Sequence, residues 1–323
     1  MAWAAWGMRD RLLKDPDVWL CHRCNDCSVR CPRGARPGDV LAAVRREGVL
    51  HYATPRFLAR WVSRPRYIPL LIGFPAVLLG LALLFKDRLE EVLGIAGPTG
   101  EPIVFPYSPM LPHWLLDSIF GLFGLFALVA AASSVFRFWR ALKAGGTDPP
   151  VKGIAASAVS VLKRVVLHEK FLTCTTPHSR PLSHLCVFFG FLALTVVTLW
   201  VITSPINPLI RDEFAYPFGF LSPWKVLANL GGAAVFVGCL LMIWDRLYDA
   251  DNAGASRFFD WALVWTLFAV VATGFVTEFL HFLRMVPHRH VVYFVHLVCV
   301  FVLLIYLPYS KFAHVLYRVT AMV

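Results

Sequence analysis

Six apolar segments, at residues 66–85, 113–139, 182–204, 223–244, 259–283 and 290–312, constrain this chain more than any other feature. A helix rising about 1.5 Å per residue needs about 20 residues to cross a hydrocarbon core of about 30 Å, and each segment is about that long. Lipid offers no water to exposed backbone N–H and C=O groups, so an open chain crosses it only as helices. Composition points the same way. The chain is 58% hydrophobic and 16% charged, against roughly 45–50% and 25% in an average soluble domain. A water-soluble enzyme and a disordered chain are both excluded. The expected fold is an all-α membrane protein with six transmembrane helices. Residues 66–323 would form the bundle, and residues 1–65 a small polar head rich in arginine with four cysteines.

Six crossings put both termini on one side, and the positive-inside rule assigns that side. The connection from about 140 to 181 carries Arg140, Lys143, Lys152, Lys163, Arg164, Lys170 and Arg180. The head carries Arg23, Arg30, Arg33, Arg36, Arg45 and Arg46. The opposite side offers Lys86, Arg88 and Arg211, diluted by Asp87, Glu90, Glu91, Glu101, Asp212 and Glu213. Both termini are therefore expected in the cytoplasm, with the bundle in the cytoplasmic (inner) membrane. The formal net charge of +11 is then mostly membrane-rim charge, and nucleic acid is not an expected partner. Residues 1–20 lack a clear apolar core and a small-residue cleavage site, so no secretory signal is expected. A charged helix at about 151–170 is expected on the membrane surface. Trp114, Trp224 and Trp261, with Tyr107, Tyr216 and Tyr293, lie at span ends and read as an aromatic belt.

Cys21, Cys24, Cys27 and Cys31 follow the spacing C-x2-C-x2-C-x3-C, with Pro32 next. This is the bacterial ferredoxin run, in which closely spaced thiolates reach the irons of a 4Fe–4S cluster. A reducing cytoplasm argues against disulfides. Structural zinc usually takes two cysteine pairs, or Cys with His, across a longer loop. In two-cluster ferredoxins the fourth cysteine of such a run serves the other cluster, which would require a second run. The remaining cysteines are Cys174, Cys186, Cys239 and Cys299; the last three lie in apolar spans. Either Cys31 completes one cluster, or the chain lacks a preceding half; the second reading is preferred.

His296 and His314 stand 18 residues apart. On an unbroken helix that is five full turns and about 27 Å, which puts both rings on one face near opposite membrane boundaries. Two b-type haems stacked across a membrane would use that geometry. A histidine in a span also serves as a helix–helix hydrogen bonder, but an intramembrane ionisable residue is a functional hypothesis by default. His184, at the same depth as His314, is its expected partner on the cytoplasmic-side haem. His281 is the candidate partner for His296, ahead of His113, His288 and His290. Glu278, His281 and Arg284 recur at three-residue spacing, so they share a helix face. They form either an ion-pair ladder or the proton-accepting edge of a quinone pocket.

Two stretches carry a family resemblance. Asp15-Pro16-Asp17-Val18-Trp19-Leu20-Cys21 and Cys31-Pro32-Arg33-Gly34-Ala35-Arg36-Pro37 resemble a heterodisulfide-reductase-type head. His296 through Leu307-Pro308-Tyr309-Ser310-Lys311-Phe312-Ala313-His314 is similar to the last span of the nitrate reductase gamma subunit, a di-haem cytochrome b. The whole resembles the membrane subunit of the quinone-interacting membrane-bound oxidoreductases. That resemblance implies electron transfer between menaquinone and cytoplasmic flavin and iron–sulfur subunits, and from there to or from adenylylsulfate reductase in sulfur metabolism. It implies His184 and His314 on one haem b and His296 on a second. An anchor for a heterodisulfide reductase or another respiratory reductase is the alternative, ahead of a non-redox transporter. The chain departs from the pattern in its single cysteine run and in Leu194, where the gamma subunit has a further histidine.

Overall fold

The structure is a computed structural model that describes residues 2–22, 24–94, 107, 110–146, 153–168, 179–204, 207 and 218–323. Cys174, the charges at 101 and 211–213, and Tyr216 lie outside the described residues. Regular structure among the described residues is helical. The head contains α1 (Ala2–Ala5), α2 (Arg9–Leu13), α3 (Asp17–Leu20), α4 (Asp26–Val29), α5 (Pro37–Tyr52) and α6 (Arg56–Val62). The bundle contains α7 (Ile68–Leu93), α8 (His113–Ala144), α10 (Ser179–Thr203), α11 (Pro223–Tyr248), α13 (Phe258–Phe282) and α14 (His288–Tyr306). Between and after them come α9 (Ile154–Leu167), α12 (Ala250–Ala253) and α15 (His314–Met322).

The protein is a multi-pass, all-α membrane bundle. Among the described residues six helices are long and apolar enough to cross a membrane, and they fall on the six segments expected from the sequence. The longest departures are at α7, which runs on to Leu93, and at α14, which stops at Tyr306. Local chemistry sets the helix ends. Ser222 caps α11, its hydroxyl accepting the Lys225 N–H at 3.2 Å, and Pro223 occupies the first turn where no N–H is needed. Gly94, in the left-handed region, closes α7. Val77, Leu84, Leu128 and Leu230 are all more than 60% exposed on span surfaces, which is a low-energy state only against lipid.

Close approach of backbones holds α10 to α11. A β-carbon added at Gly190 would lie 2.5 Å from the carbonyl oxygen of Gly231, and one added at Gly238 would lie 2.8 Å from that of Ser183. Lipid tails are as apolar as leucine, so helices in a membrane gain little from the hydrophobic effect and much from such tight packing of small residues. On the neighbouring face, Gly232 leaves room for the Phe275 ring of α13.

The head is welded to the bundle. Leu13, Val18, Trp19, Val49 and Tyr52 share one buried core with Phe138, Leu142, Phe259, Ala313 and Tyr317. The Trp19 ring lies 4.7 Å from that of Tyr317 and 5.8 Å from that of Phe138. Arg137 of α8 donates to the carbonyls of His51 and Ala53 and to the Thr54 hydroxyl, at 3.0–3.2 Å. Tyr309 donates to the Thr54 carbonyl at 2.9 Å. Burial pushes the Tyr52 hydroxyl up to about 12, so it remains a donor, here to the Leu13 carbonyl at 2.9 Å. The α9 helix occupies the expected surface stretch, and its Val161 is buried.

Because backbone rather than a flexible side chain meets the added carbon, Gly190→Ala should destabilise the bundle by about 1–3 kcal/mol. Gly80→Ala, which meets nothing within 4 Å, should be neutral. Thermal unfolding of both variants in detergent checks the pair.

Candidate cofactor site

A cavity of about 900 Å³ opens at the head end of the bundle. Its walls come from the head, α9, α10, α11, α13 and α15. His184, near the start of α10, and His314, at the start of α15, both line it. His314 Nδ1 faces the Lys311 carbonyl oxygen at 2.7 Å. A carbonyl only accepts, so Nδ1 carries the proton and Nε2 keeps its lone pair. Burial pushes the His314 pKa down, so the ring is neutral, as a metal ligand must be.

Sequence reasoning passes over a third histidine on this wall, His168. It closes α9 in the left-handed region, and its ring centroid is 5.4 Å from that of His184. Its Nδ1 lies 3.1 Å from the Val166 carbonyl, so Nε2 again bears the lone pair. The only hint in the sequence is an imidazole ending a basic, amphipathic stretch. Arg45, Arg46, Arg164, Arg246, Arg318 and Lys311 also line the cavity, as do Asp39, Asp245, Asp249 and Asp260.

The cysteine run starts beside this wall: Leu20 and His22, which flank Cys21, line the cavity, while the cysteines themselves do not. Cys21 ends α3, Cys27 lies in the first turn of α4, and Asn25 turns the intervening loop in the left-handed region. Arg45 donates to the Val18 and Cys21 carbonyls at 2.7 and 2.5 Å. Arg318 reaches the Cys21 carbonyl at 3.4 Å and the His22 ring at 3.0 Å. Burial pushes the Arg318 pKa down, and nearby Cys21 partly opposes it. Two guanidiniums thus tie the cysteine loop to the cavity wall. Cys21, Cys24, Cys27 and Cys31 carry thiols rather than disulfides. Among the described residues no three His, Cys, Asp or Glu side chains converge closely enough to hold a metal ion. The donor chemistry of the run fits an iron–sulfur cluster; a gathered ligand set is not present.

The last span differs from the continuous helix that the histidine spacing presupposes. After Tyr306 the chain makes two 3₁₀ turns, Leu307–Tyr309 and Lys311–Ala313, separated by Ser310 in an extended conformation. Pro308 cannot donate to a preceding turn, and the Ser310 hydroxyl instead accepts the Phe312 N–H at 3.1 Å. Counting five unbroken turns from His296 to His314 therefore fails. What joins His314 to His184 is the shared cavity.

His296 packs against α13: Nδ1 is 3.0 Å from the Thr273 hydroxyl, and a β-carbon at Gly274 would lie 3.2 Å from Cε1. His281 lies about two turns farther along α13, exposed, with its ring 5.8 Å from that of Tyr107. The structure does not bring His281 and His296 together. Leu194 packs instead against Gly231. Glu278 and Arg284 stay within electrostatic reach of His281, but the three make separate contacts. Glu278 turns to α11, 2.9 Å from Lys225 Nζ and 3.1 Å from Asn229 Nδ2. Arg284 lies beyond the end of α13, exposed and left-handed. Tyr107, read from sequence as part of the aromatic belt, is 5% exposed and stacked on Tyr293 at 4.4 Å. His290 and Arg289 complete that far-end cluster.

A family model described as "Citrate utilization protein B" matches residues 69–323. Citrate utilization protein B of Escherichia coli is 27% identical over 318 residues, covering 93% of this chain and 78% of that protein. A heterodisulfide reductase-like protein of Archaeoglobus profundus is 47% identical over 47 residues, which are 15% of this chain and 25% of that protein. A dihydromethanophenazine:CoB–CoM heterodisulfide reductase subunit of Methanosarcina thermophila is 24% identical over 96 residues, 29% of this chain and 36% of that protein. No solved structure matches the chain.

Hydrogen bonds to a charged group contribute about 1.5–3 kcal/mol each. Replacing Arg45 by Met should therefore loosen the cysteine loop and speed tryptic cleavage at Arg30 and Arg33 about tenfold or more. Arg46→Met should leave it unchanged. Quantitative peptide mass spectrometry over time reads both rates.

Proposed function

The chain belongs to the citrate utilization protein B family, and on that premise we propose that it is the membrane subunit of an oxidoreductase complex, relaying electrons between membrane quinone and a soluble partner. The partial matches to heterodisulfide reductase proteins, one over the head-sized stretch and one longer, support the electron-transfer role. The family is not that of the quinone-interacting oxidoreductase subunit which the motifs resemble; the redox-relay reading rests on those motifs and on the heterodisulfide reductase matches. In this proposal both termini are cytoplasmic, so that the head faces soluble flavin and iron–sulfur subunits.

One observation carries the reading. A cavity of about 900 Å³ gathers the imidazoles of His184 and His314, with His168 next to His184, beside the loop that carries Cys21, Cys24, Cys27 and Cys31. The volume lies in the range of about 300–1,000 Å³ expected of a ligand or cofactor site. His184 and His314 would hold a haem b, with their Nε2 atoms as donors. The arginines of the wall suit its two carboxylates, since guanidinium pairs with carboxylate bidentately. Cysteines 21, 24, 27 and 31 would hold the 4Fe–4S cluster. When bound, haem iron and an iron–sulfur cluster supply one-electron carriage. The protein's own part is to fix the His314 tautomer through the Lys311 carbonyl, to neutralise carboxylates and to hold the cysteine loop against the bundle. A second haem at His296 remains part of the proposal, with no second histidine facing that ring among the described residues. Menaquinone would act at the far end, where Lys225, Glu278 and His281 offer groups for proton exchange.

The soluble partner separates the finer readings. The family description attaches its members to citrate utilization, whereas the motif resemblance implies sulfur metabolism and adenylylsulfate reductase. Co-purification from the native membrane, with the partner subunits sequenced, decides between them. A chain purified without haem or iron would overturn the relay and leave the basic cavity as an anion site.

Haem content of the purified protein tests the ligand assignment. His184→Ala and His314→Ala are each expected to lose at least half of the b-type absorbance per chain. His168→Ala should retain it. Loss in His168→Ala with retention in His184→Ala would exchange the two roles. Two haems per chain, one of them lost in His296→Ala, would establish the second site; one haem per chain, unaffected by that change, would remove it.

A further inference from the structure

We propose that Asp260 is a positioning residue for His314, acting through Lys311. The inference rests on the cofactor reading above and carries it one shell outward. His314 gives its Nδ1 proton to the Lys311 carbonyl, so the direction of its Nε2 lone pair follows from where that carbonyl stands. The carbonyl belongs to the short turn Lys311–Ala313, and the residue before it, Ser310, is extended. Flanking helix therefore does not set its orientation from the Ser310 side. Among the contacts that do are the Ser310 hydroxyl on the Phe312 N–H, at 3.1 Å, and an ion pair between the Lys311 ammonium and the Asp260 carboxylate.

Asp260 is well placed to act as the fixed end of that pair. It is the third residue of α13 and 8% exposed, and its other oxygen accepts the Arg257 N–H at 3.0 Å. One carboxylate thus joins the start of α13 to the turn that aims His314. Both Asp260 and Lys311 line the cavity beside His314. Removing partners one shell out from a metal-binding imidazole costs about 10- to 100-fold in affinity, and here the route runs through a charge pair and a main-chain carbonyl.

The test uses full-length protein purified with its haem, and the variants Asp260→Asn, Lys311→Met and Asp260→Glu. Asp260→Asn keeps an oxygen for the Arg257 N–H, so the start of α13 is preserved. Lys311→Met leaves Asp260 untouched and carries the test alone if Asp260→Asn fails to accumulate. Positioning predicts that both speed haem transfer to apomyoglobin about tenfold or more and shift the low-spin ferric electron paramagnetic resonance g-values in the same sense. Asp260→Glu should restore most of both. A purely electrostatic role predicts something else. The two variants delete charges of opposite sign, so the haem midpoint potential would move in opposite directions while haem retention and g-values stayed at wild type; that result overturns the proposal. Haem lost in His314→Ala but undisturbed in both variants also overturns it, leaving the cofactor reading intact. Wild-type protein without haem, or His314→Ala that retains it, overturns the cofactor reading and this inference with it.

Discussion

The aromatic cluster of Trp19, Tyr52, Phe138 and Tyr317 is the contact on which the rest of this molecule depends. Two of its rings come from the head and two from the bundle, with centroids 4.7–6.2 Å apart. Each fully buried side chain of this size contributes about 1.5–3 kcal/mol, and all four are under 5% exposed. A stretch the size of residues 1–65 would have only a marginal core of its own. Here they share one with the head-end tips of α8, α13 and α15. The cysteine loop thereby acquires a fixed position beside the cavity, and head residues close part of the cavity wall.

Much of this is legible in the sequence. The six spans follow from length and apolarity alone, because in lipid nothing competes with helix for the backbone. The cysteine run and His184, His296 and His314 stand out as residues that such spans and such a head rarely carry without use. What is not legible depends on three-dimensional detail. The break at Leu307–Ala313 arises from Pro308 and from a serine hydroxyl that takes over a backbone N–H, and a periodicity count passes over both. Spacing assigns Glu278 to a ladder along its own helix, but the shorter path is across to Lys225 and Asn229 on α11. His168 is invisible because a lone imidazole in a polar connection carries no periodic signal. Tyr107 reads as a lipid-interface residue, since tyrosines at span ends usually lie there, yet its ring is buried on Tyr293.

The site also shows how a membrane protein separates tasks along its length. At the head end, charge is abundant and organised: arginines reach main-chain carbonyls, and an aspartate and a lysine pair within a half-buried wall. At the far end the polar groups are fewer and arranged in small sets, one around Glu278 and one around Tyr107. Between them the spans pass as apolar surfaces with glycine at the crossings. Electron carriage between the ends, as proposed, would need cofactors held by few residues, since each polar side chain within the hydrocarbon is costly.

The Gly190–Gly231 crossing has one more consequence. With no side chain between the two backbones, α10 cannot slide along α11 without driving carbonyl oxygens into Cα atoms. The pair behaves as a single stiff plank, and the depth of His184 is set by its neighbour rather than by the surrounding lipid. In bilayers of different thickness the plank tilts as a unit, so the imidazole keeps its height relative to α11 while the lipid adjusts around it.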